Sequence, residues 1–222
     1  METILEIINI IGIISFAAAG AMVAIDKETD LFGVVTLSLV TCFGGGLIRD
    51  MIAGDTIGRE LPAVFTDLQI DLIVCILTAF VVFFVAMAMK EKYIKEESTV
   101  EKVNNILDAL GIGVFSVMGT AAYLELGFFA SIFMGLLTSV GGSIIRDVML
   151  GTIPMVLRKR IYAIACMIGS SIYYIIVTHL MNGMPSASIV ASITCIAVIF
   201  VIRMCATVFR WNLPVAIRFN KK

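Results

Sequence analysis

The sequence predicts an all-α fold, a polytopic membrane bundle of seven transmembrane helices arranged as two inverted three-helix repeats plus a seventh helix. Three observations predict it. Of the 222 residues, 60% are hydrophobic and the mean hydropathy is +1.05, against an apolar fraction of about 45–50% in soluble domains. The apolar runs recur along the whole chain, each close to the roughly 20 residues that a helix needs to cross the hydrocarbon. Finally, Thr41-Cys42-Phe43-Gly44-Gly45-Gly46-Leu47-Ile48-Arg49-Asp50 and Thr138-Ser139-Val140-Gly141-Gly142-Ser143-Ile144-Ile145-Arg146-Asp147 are two versions of one segment.

Seven spans follow from the hydropathy, at about 4–25, 31–53, 69–89, 106–124, 127–150, 161–180 and 186–208. Polar breaks separate them: Asp26 to Asp30, Gly54 to Asp67, Lys90 to Asn105, Glu125, Arg158-Lys159-Arg160, and Asn182 to Pro185. The opening Met1 to Glu6 lacks the positive stretch of a signal peptide, so the first apolar run is expected to be a retained helix. No block is soluble enough to form a second domain. The chain is expected to be one membrane domain: repeat one about 4–89, a charged linker about 90–105, repeat two about 106–180, and a seventh helix about 186–208.

Orientation follows from Lys and Arg in the short loops. With the N-terminus outside, the inner loops hold Lys27, Lys90, Lys92, Lys95, Lys102, Arg158, Lys159, Arg160, Arg210, Arg218, Lys221 and Lys222, while the outer loops hold only Arg59. The remaining cations, Arg49, Arg146 and Arg203, lie in or at the ends of spans. The expected location is the plasma membrane, with the C-terminus cytoplasmic.

The repeat extends beyond the glycines. Gly12, Phe16 and Gly20 recur 99 positions later as Gly111, Phe115 and Gly119, and Gly44, Gly45, Arg49, Asp50 and Gly54 recur 97 positions later as Gly141, Gly142, Arg146, Asp147 and Gly151. Three spans per unit is an odd number, so the second unit enters the membrane from the opposite side. Inverted repeats with interrupted helices at matching positions point to a solute path near the midplane.

Gly44, Gly45 and Gly46 each weaken a helix by about 0.8–1.0 kcal/mol relative to alanine, which predicts a kink or a short unwound segment there and at Gly141, Gly142 and Ser143. Freed carbonyls at such a break can coordinate a cation or a small zwitterion. Close helix packing is the rival use of small residues. Arg49 and Asp50, like Arg146 and Asp147, project about 100° apart on a helix and are expected to need other partners. They serve either as gating charges beside the path or as structural ion pairs, because an intramembrane charge must face protein or water. Asp108, which matches Asn9 in the repeat, is expected near a helix start, and Arg203 is expected to reach toward the cytoplasmic surface. His179 reads as interfacial. The linker Lys90 to Lys102 reads as a solvated connector, helical in part.

Other function classes find no support in the residues. There is no basic face for nucleic acid, no Cys/His cluster for a metal, no cofactor fingerprint and no enzyme motif. The five cysteines all lie in apolar runs, as packing residues do.

The segments GGGLIRD and GGSIIRD, the DALGIGVFSVMG run, RDVMLGTIP with the later Tyr162-Ala163, and the stretch from Arg203 to Leu213-Pro214 resemble the prokaryotic members of the trimeric intracellular cation channel (TRIC) family, also described as a glycine-transporter family. The resemblance covers about residues 7–215. It implies a homotrimer in membrane lipid, each protomer with its own pore for monovalent cations, potassium first and sodium second. Helices two and five would bend at Gly44, Gly45, Gly46 and Gly141, Gly142, with Arg49, Asp50, Arg146 and Asp147 beside the path. The alternative is a secondary carrier for a small amino acid such as glycine. One departure concerns the loop 54–68: Gly54 and Pro62 are eight apart, whereas Gly151 and Pro154 are three apart.

Overall fold

A computed structural model describes residues 2–53, 62, 69–158 and 161–211. The described residues contain seven helices long and apolar enough to span a membrane, which makes the chain a multi-pass membrane protein. They are α1 (Glu2–Ile25), α2 (Leu31–Ala53), α3 (Gln69–Ala88), α5 (Glu97–Ala121), α6 (Phe128–Met149), α8 (Ala163–Ile175, continued by a π turn over Ile176–Leu180) and α9 (Ala187–Val208). Two short helices, α4 (Lys90–Lys95) and α7 (Met155–Arg158), connect them. The lengthened loop 54–68 lies outside the described residues except for Pro62.

Local chemistry sets the helix ends. α1 stops at Asp26-Lys27-Glu28, where Glu28 turns with φ 56°, and α2 starts where the Asp30 carboxylate accepts the Gly33 N–H at 2.8 Å, satisfying one of the orphan donors of the first turn. Gly127, at φ 87°, leads into α6, and Gly151, at φ 66°, follows it. Both are left-handed conformations that a residue with a Cβ adopts only at a cost.

The linker is more helical than its charge suggests. α5 begins at Glu97, nine residues before the expected start at 106, because Lys and Glu favour helix and the exposed turns reach into solvent ahead of the apolar segment. Glu125 breaks the chain as expected, but within a 3-10 turn over Leu124–Leu126.

Two pairs of helices make the centre. α1 packs on α5 and α2 on α6, and each of these touches its neighbour in sequence as well. α3 covers α1 and α2, α8 covers α5 and α6, and α9 lies against α5 and α8. In their most apolar stretches α1 and α5 are each 61% buried and α3 only 17%, so the other helices leave most of the α3 surface uncovered. Phe16 and Phe115 stack at 4.9 Å with planes 8° apart, one from each half. Around them, Gly12 faces Val114 and Gly111 faces Phe16, so contacts fall back along α5 as the chain advances along α1.

A glycine crossing flanked by two unequal ion pairs

The doubled segment lies where α2 crosses α6. Both helices remain α-helical through their glycines, so of the kink or short unwound segment expected there, the unwound form is not adopted. The energetics explain the difference. Glycine costs a helix about 1 kcal/mol per residue, but each backbone group left unsatisfied in lipid costs several.

The glycines serve contact instead. A Cβ on Gly45 would overlap the Thr138 carbonyl oxygen, and one on Gly142 would overlap the Thr41 carbonyl oxygen. A Cβ on Gly141 would lie 2.8 Å from the Gly45 Cα, and one on Gly44 would lie 3.1 Å from the Gly142 Cα. Thr41 and Thr138 are themselves 97 positions apart, so the two halves make the same contact in exchange. Their hydroxyls behave alike too, each donating to the carbonyl four residues earlier at 2.6 Å, on Leu37 and Met134 respectively. Gly46 differs from its neighbours: only the Arg49 guanidinium comes near, at 3.7 Å from where a Cβ would stand.

Gly46 opens on a cavity of about 40 Å³ lined by Cys42, Phe43, Leu47, Arg49, Asp50, Phe115, Met118 and Thr138, room for a few waters. Arg49 and Asp50 form its polar wall. The Arg49 Nε donates to Asp50 Oδ1 at 2.8 Å and its terminal nitrogen lies 2.6 Å from the same oxygen. The Tyr123 hydroxyl donates to Asp50 at 3.4 Å, with its ring 5.8 Å from the guanidinium carbon. Adjacent residues therefore pair directly, contrary to expectation. The long arginine stem spans the 100° between them, and a site with little water makes the nearest carboxylate the best partner.

Arg146 and Asp147 repeat the pairing at 2.7–2.9 Å. Here the arginine is 1% exposed, against 12% for the Arg49 side chain. The Asp147 carboxylate also accepts the Met155 N–H at 2.9 Å, tying α6 to the connector that follows. Ser143 sits buried on the same helix, its hydroxyl without a hydrogen-bond partner among the described residues.

Asp108 and Arg203 correct two further expectations. Asp108 stands mid-helix in α5, 1% exposed, and Arg203, 3% exposed, donates to it at 3.1 Å rather than reaching for the surface. The Tyr162 hydroxyl donates to the other Asp108 oxygen at 3.0 Å, and its ring lies 4.1 Å from the Arg203 guanidinium carbon. The early start of α5 is what moves Asp108 inward. His179 lies in the π turn beside the Tyr174 ring. Among the described residues, no three His, Cys, Asp or Glu side chains converge as a metal site.

Sequence reasoning missed Tyr123, Thr41, Thr138 and the pair Asn9 and Asp71, whose side chains bond at 3.0 Å. Asp71 was legible as a carboxylate inside an apolar run. Tyr123 carried no such signal.

Seven spanning helices, with charged pairs beside a crossing at their centre, define an integral membrane protein whose interior polar groups face protein and a small cavity. Residues 6–87 and 105–178 match the family described as Glycine transporter, and the chain belongs to that family. It is similar to the UPF0126 membrane protein YvgT of Bacillus subtilis (strain 168), 32% identical over 213 residues that cover 94% of this chain and 95% of the relative. The UPF0126 inner membrane protein YadS of Escherichia coli (strain K12) is 32% identical over 209 residues, covering 93% and 92%. Among solved structures, a prokaryotic TRIC channel superposes with a TM-score of 0.78 at 29% identity, covering 96% of this chain and 100% of that one. The TRIC trimeric intracellular cation channel orthologue from Rhodobacter sphaeroides gives 0.76 at 28% identity, covering 94% and 99%.

Proposed function

We propose that the protein is a monovalent-cation channel, permeable to potassium and secondarily to sodium, working as a homotrimer in the plasma membrane with a path in each protomer between α2 and α6. The observation that carries this is the likeness, along nearly the whole chain, to solved TRIC cation channels. The exchanged contacts of Gly45 with Thr138 and Gly142 with Thr41 support two inverted repeats meeting at the path. The Lys and Arg distribution supports an outside N-terminus and a cytoplasmic C-terminus.

In this arrangement the cavity beside Gly46 is a hydrated vestibule that ends against the glycine crossing, and conduction requires α2 and α6 to separate there. Asp50 neutralises Arg49 locally, so the wall presents no net positive charge to an approaching cation. The Thr41 and Thr138 hydroxyls spend their protons on their own helices, and the Thr138 oxygen also accepts from the Arg49 guanidinium at 3.5 Å, which ties α6 to the polar wall of the cavity.

The family description favours a second reading, a carrier for glycine. Liposomes containing the purified protein, assayed in parallel for potassium flux and labelled glycine uptake, separate the two. A channel gives potassium flux that rises without saturation and no concentrative uptake of glycine. Saturable glycine uptake with no potassium permeability above empty liposomes overturns the proposal.

A further inference from the structure

The two halves place a polar pair at equivalent positions between their first and third helices. In the second half it is Asp108 with Tyr162, and in the first it is Asn9 with Asp71. Asn9 and Asp108 are 99 apart, and Asp71 and Tyr162 are 91 apart, the same spacing as Cys75 and Cys166, each of which sits one turn further along. The carboxylate has changed sides of the pair. In the second half the seventh spanning helix supplies its counter-charge, Arg203. In the first half, no Lys, Arg or His lies within ion-pair distance of Asp71 among the described residues. Asp71 is 8% exposed in the first turn of the spanning helix α3, and among the described residues its one hydrogen-bond donor is the Asn9 amide at 3.0 Å. The Asn9 carbonyl oxygen is buried and accepts no hydrogen bond from the described residues.

A buried carboxylate without a counter-charge is costly. The described residues around it offer no cation, yet the bonded pair carries two unspent oxygen acceptors, the second Asp71 oxygen and the Asn9 carbonyl. Hard oxygen donors of this kind suit an alkali cation, and Asn9, only half-buried, gives the site an edge toward water. We infer that Asp71 and Asn9 bind a single monovalent alkali cation, sodium or potassium, with waters completing its shell, and that this ion does for the first half what Arg203 does for the second. The site lies between α1 and α3, near the end of the bundle where both helices begin, and is separate from the glycine crossing. It does not depend on the transport proposal.

The test is the thermal unfolding midpoint of the full-length protein in detergent, with sodium or potassium chloride replaced by N-methyl-D-glucamine chloride at constant ionic strength. The wild-type midpoint rises saturably with either alkali ion, by about 2–4 °C at a few times the dissociation constant. Asp71→Asn removes the dependence, while Asp108→Asn lowers the midpoint and keeps the dependence. Asn9→Ala retains the carboxylate and shifts the response to several-fold higher salt, which keeps the test open where Asp71→Asn fails to fold. No cation dependence in the wild type, the same dependence in Asp71→Asn, or an unchanged concentration response in Asn9→Ala overturns the assignment. Because no flux is read, the result stands apart from whether the protein conducts.

Discussion

Arg49 with Asp50 and Arg146 with Asp147 are one motif written twice, yet the structure treats them differently. The first pair borders a cavity, with a tyrosine ring alongside and 12% of the arginine side chain exposed; the second is sealed, at 1%. The cause lies outside the motif. In the second half, Tyr162, Asp108 and Arg203 fill the interior with bonded polar groups, and the seventh spanning helix has no counterpart to serve the first half. One segment written twice thus gives like crossings with unequal surroundings. In the proposed channel, one half is the vestibule and the other is the closed side.

The largest expected effect tests the sealed half. Arg146→Ala leaves Asp147 charged and buried, and Arg203→Ala does the same to Asp108; each is expected to cost about 3–5 kcal/mol. Size-exclusion chromatography after graded heating should show loss of the monodisperse peak. Arg49→Ala should cost only about 1–2 kcal/mol, since water in the cavity can solvate Asp50. Equal losses at Arg49 and Arg146 would break the comparison.

The glycines sharpen it next. Gly45→Ala and Gly142→Ala both push a methyl group into a backbone carbonyl and should destabilise by similar amounts, about 1–3 kcal/mol. Gly46→Ala meets only a flexible guanidinium and should gain up to about 1 kcal/mol from helix propensity. Thermal midpoints of the three variants side by side check the order.

The smallest effect lies outside the membrane, where the Tyr93 hydroxyl of the connector meets Asp26 at 3.5 Å. Burial, and then the Asp26 charge, push the Tyr93 phenol up to about 12. A raised folded-state value means that this contribution is whole below the ordinary tyrosine range near 10 and is lost as pH rises from about 10 through 12. Tyr93→Phe should therefore flatten the alkaline limb of the stability profile slightly and leave neutral pH within about 0.5 kcal/mol of wild type.

Most spans were legible because lipid imposes a length and a composition that loops do not share: 31–53 is seen as Leu31–Ala53 and 186–208 as Ala187–Val208. The start of α5 was not, since its first turns are charged and hydropathy cannot tell a solvated helix from a solvated linker. The glycine motif announced a special place but not its geometry. Three glycines suit a broken helix and a tight crossing equally, and only the opposing Thr138 and Thr41 carbonyls distinguish them. Asp108 and Arg203 were legible as charges in the membrane. Their mutual pairing was not, because 95 residues of chain separate them.

The central claim is that the cavity beside Gly46 opens on the ion path. Because Cys42 lines the same cavity, potassium flux into liposomes carrying Gly46→Cys in a Cys42→Ala background, before and after a positively charged methanethiosulfonate reagent, tests it most directly, with the Cys42→Ala parent as the control. The account predicts that modification abolishes most of the flux in Gly46→Cys and little of it in the parent. Modification confirmed by mass spectrometry, with flux unchanged, would contradict it.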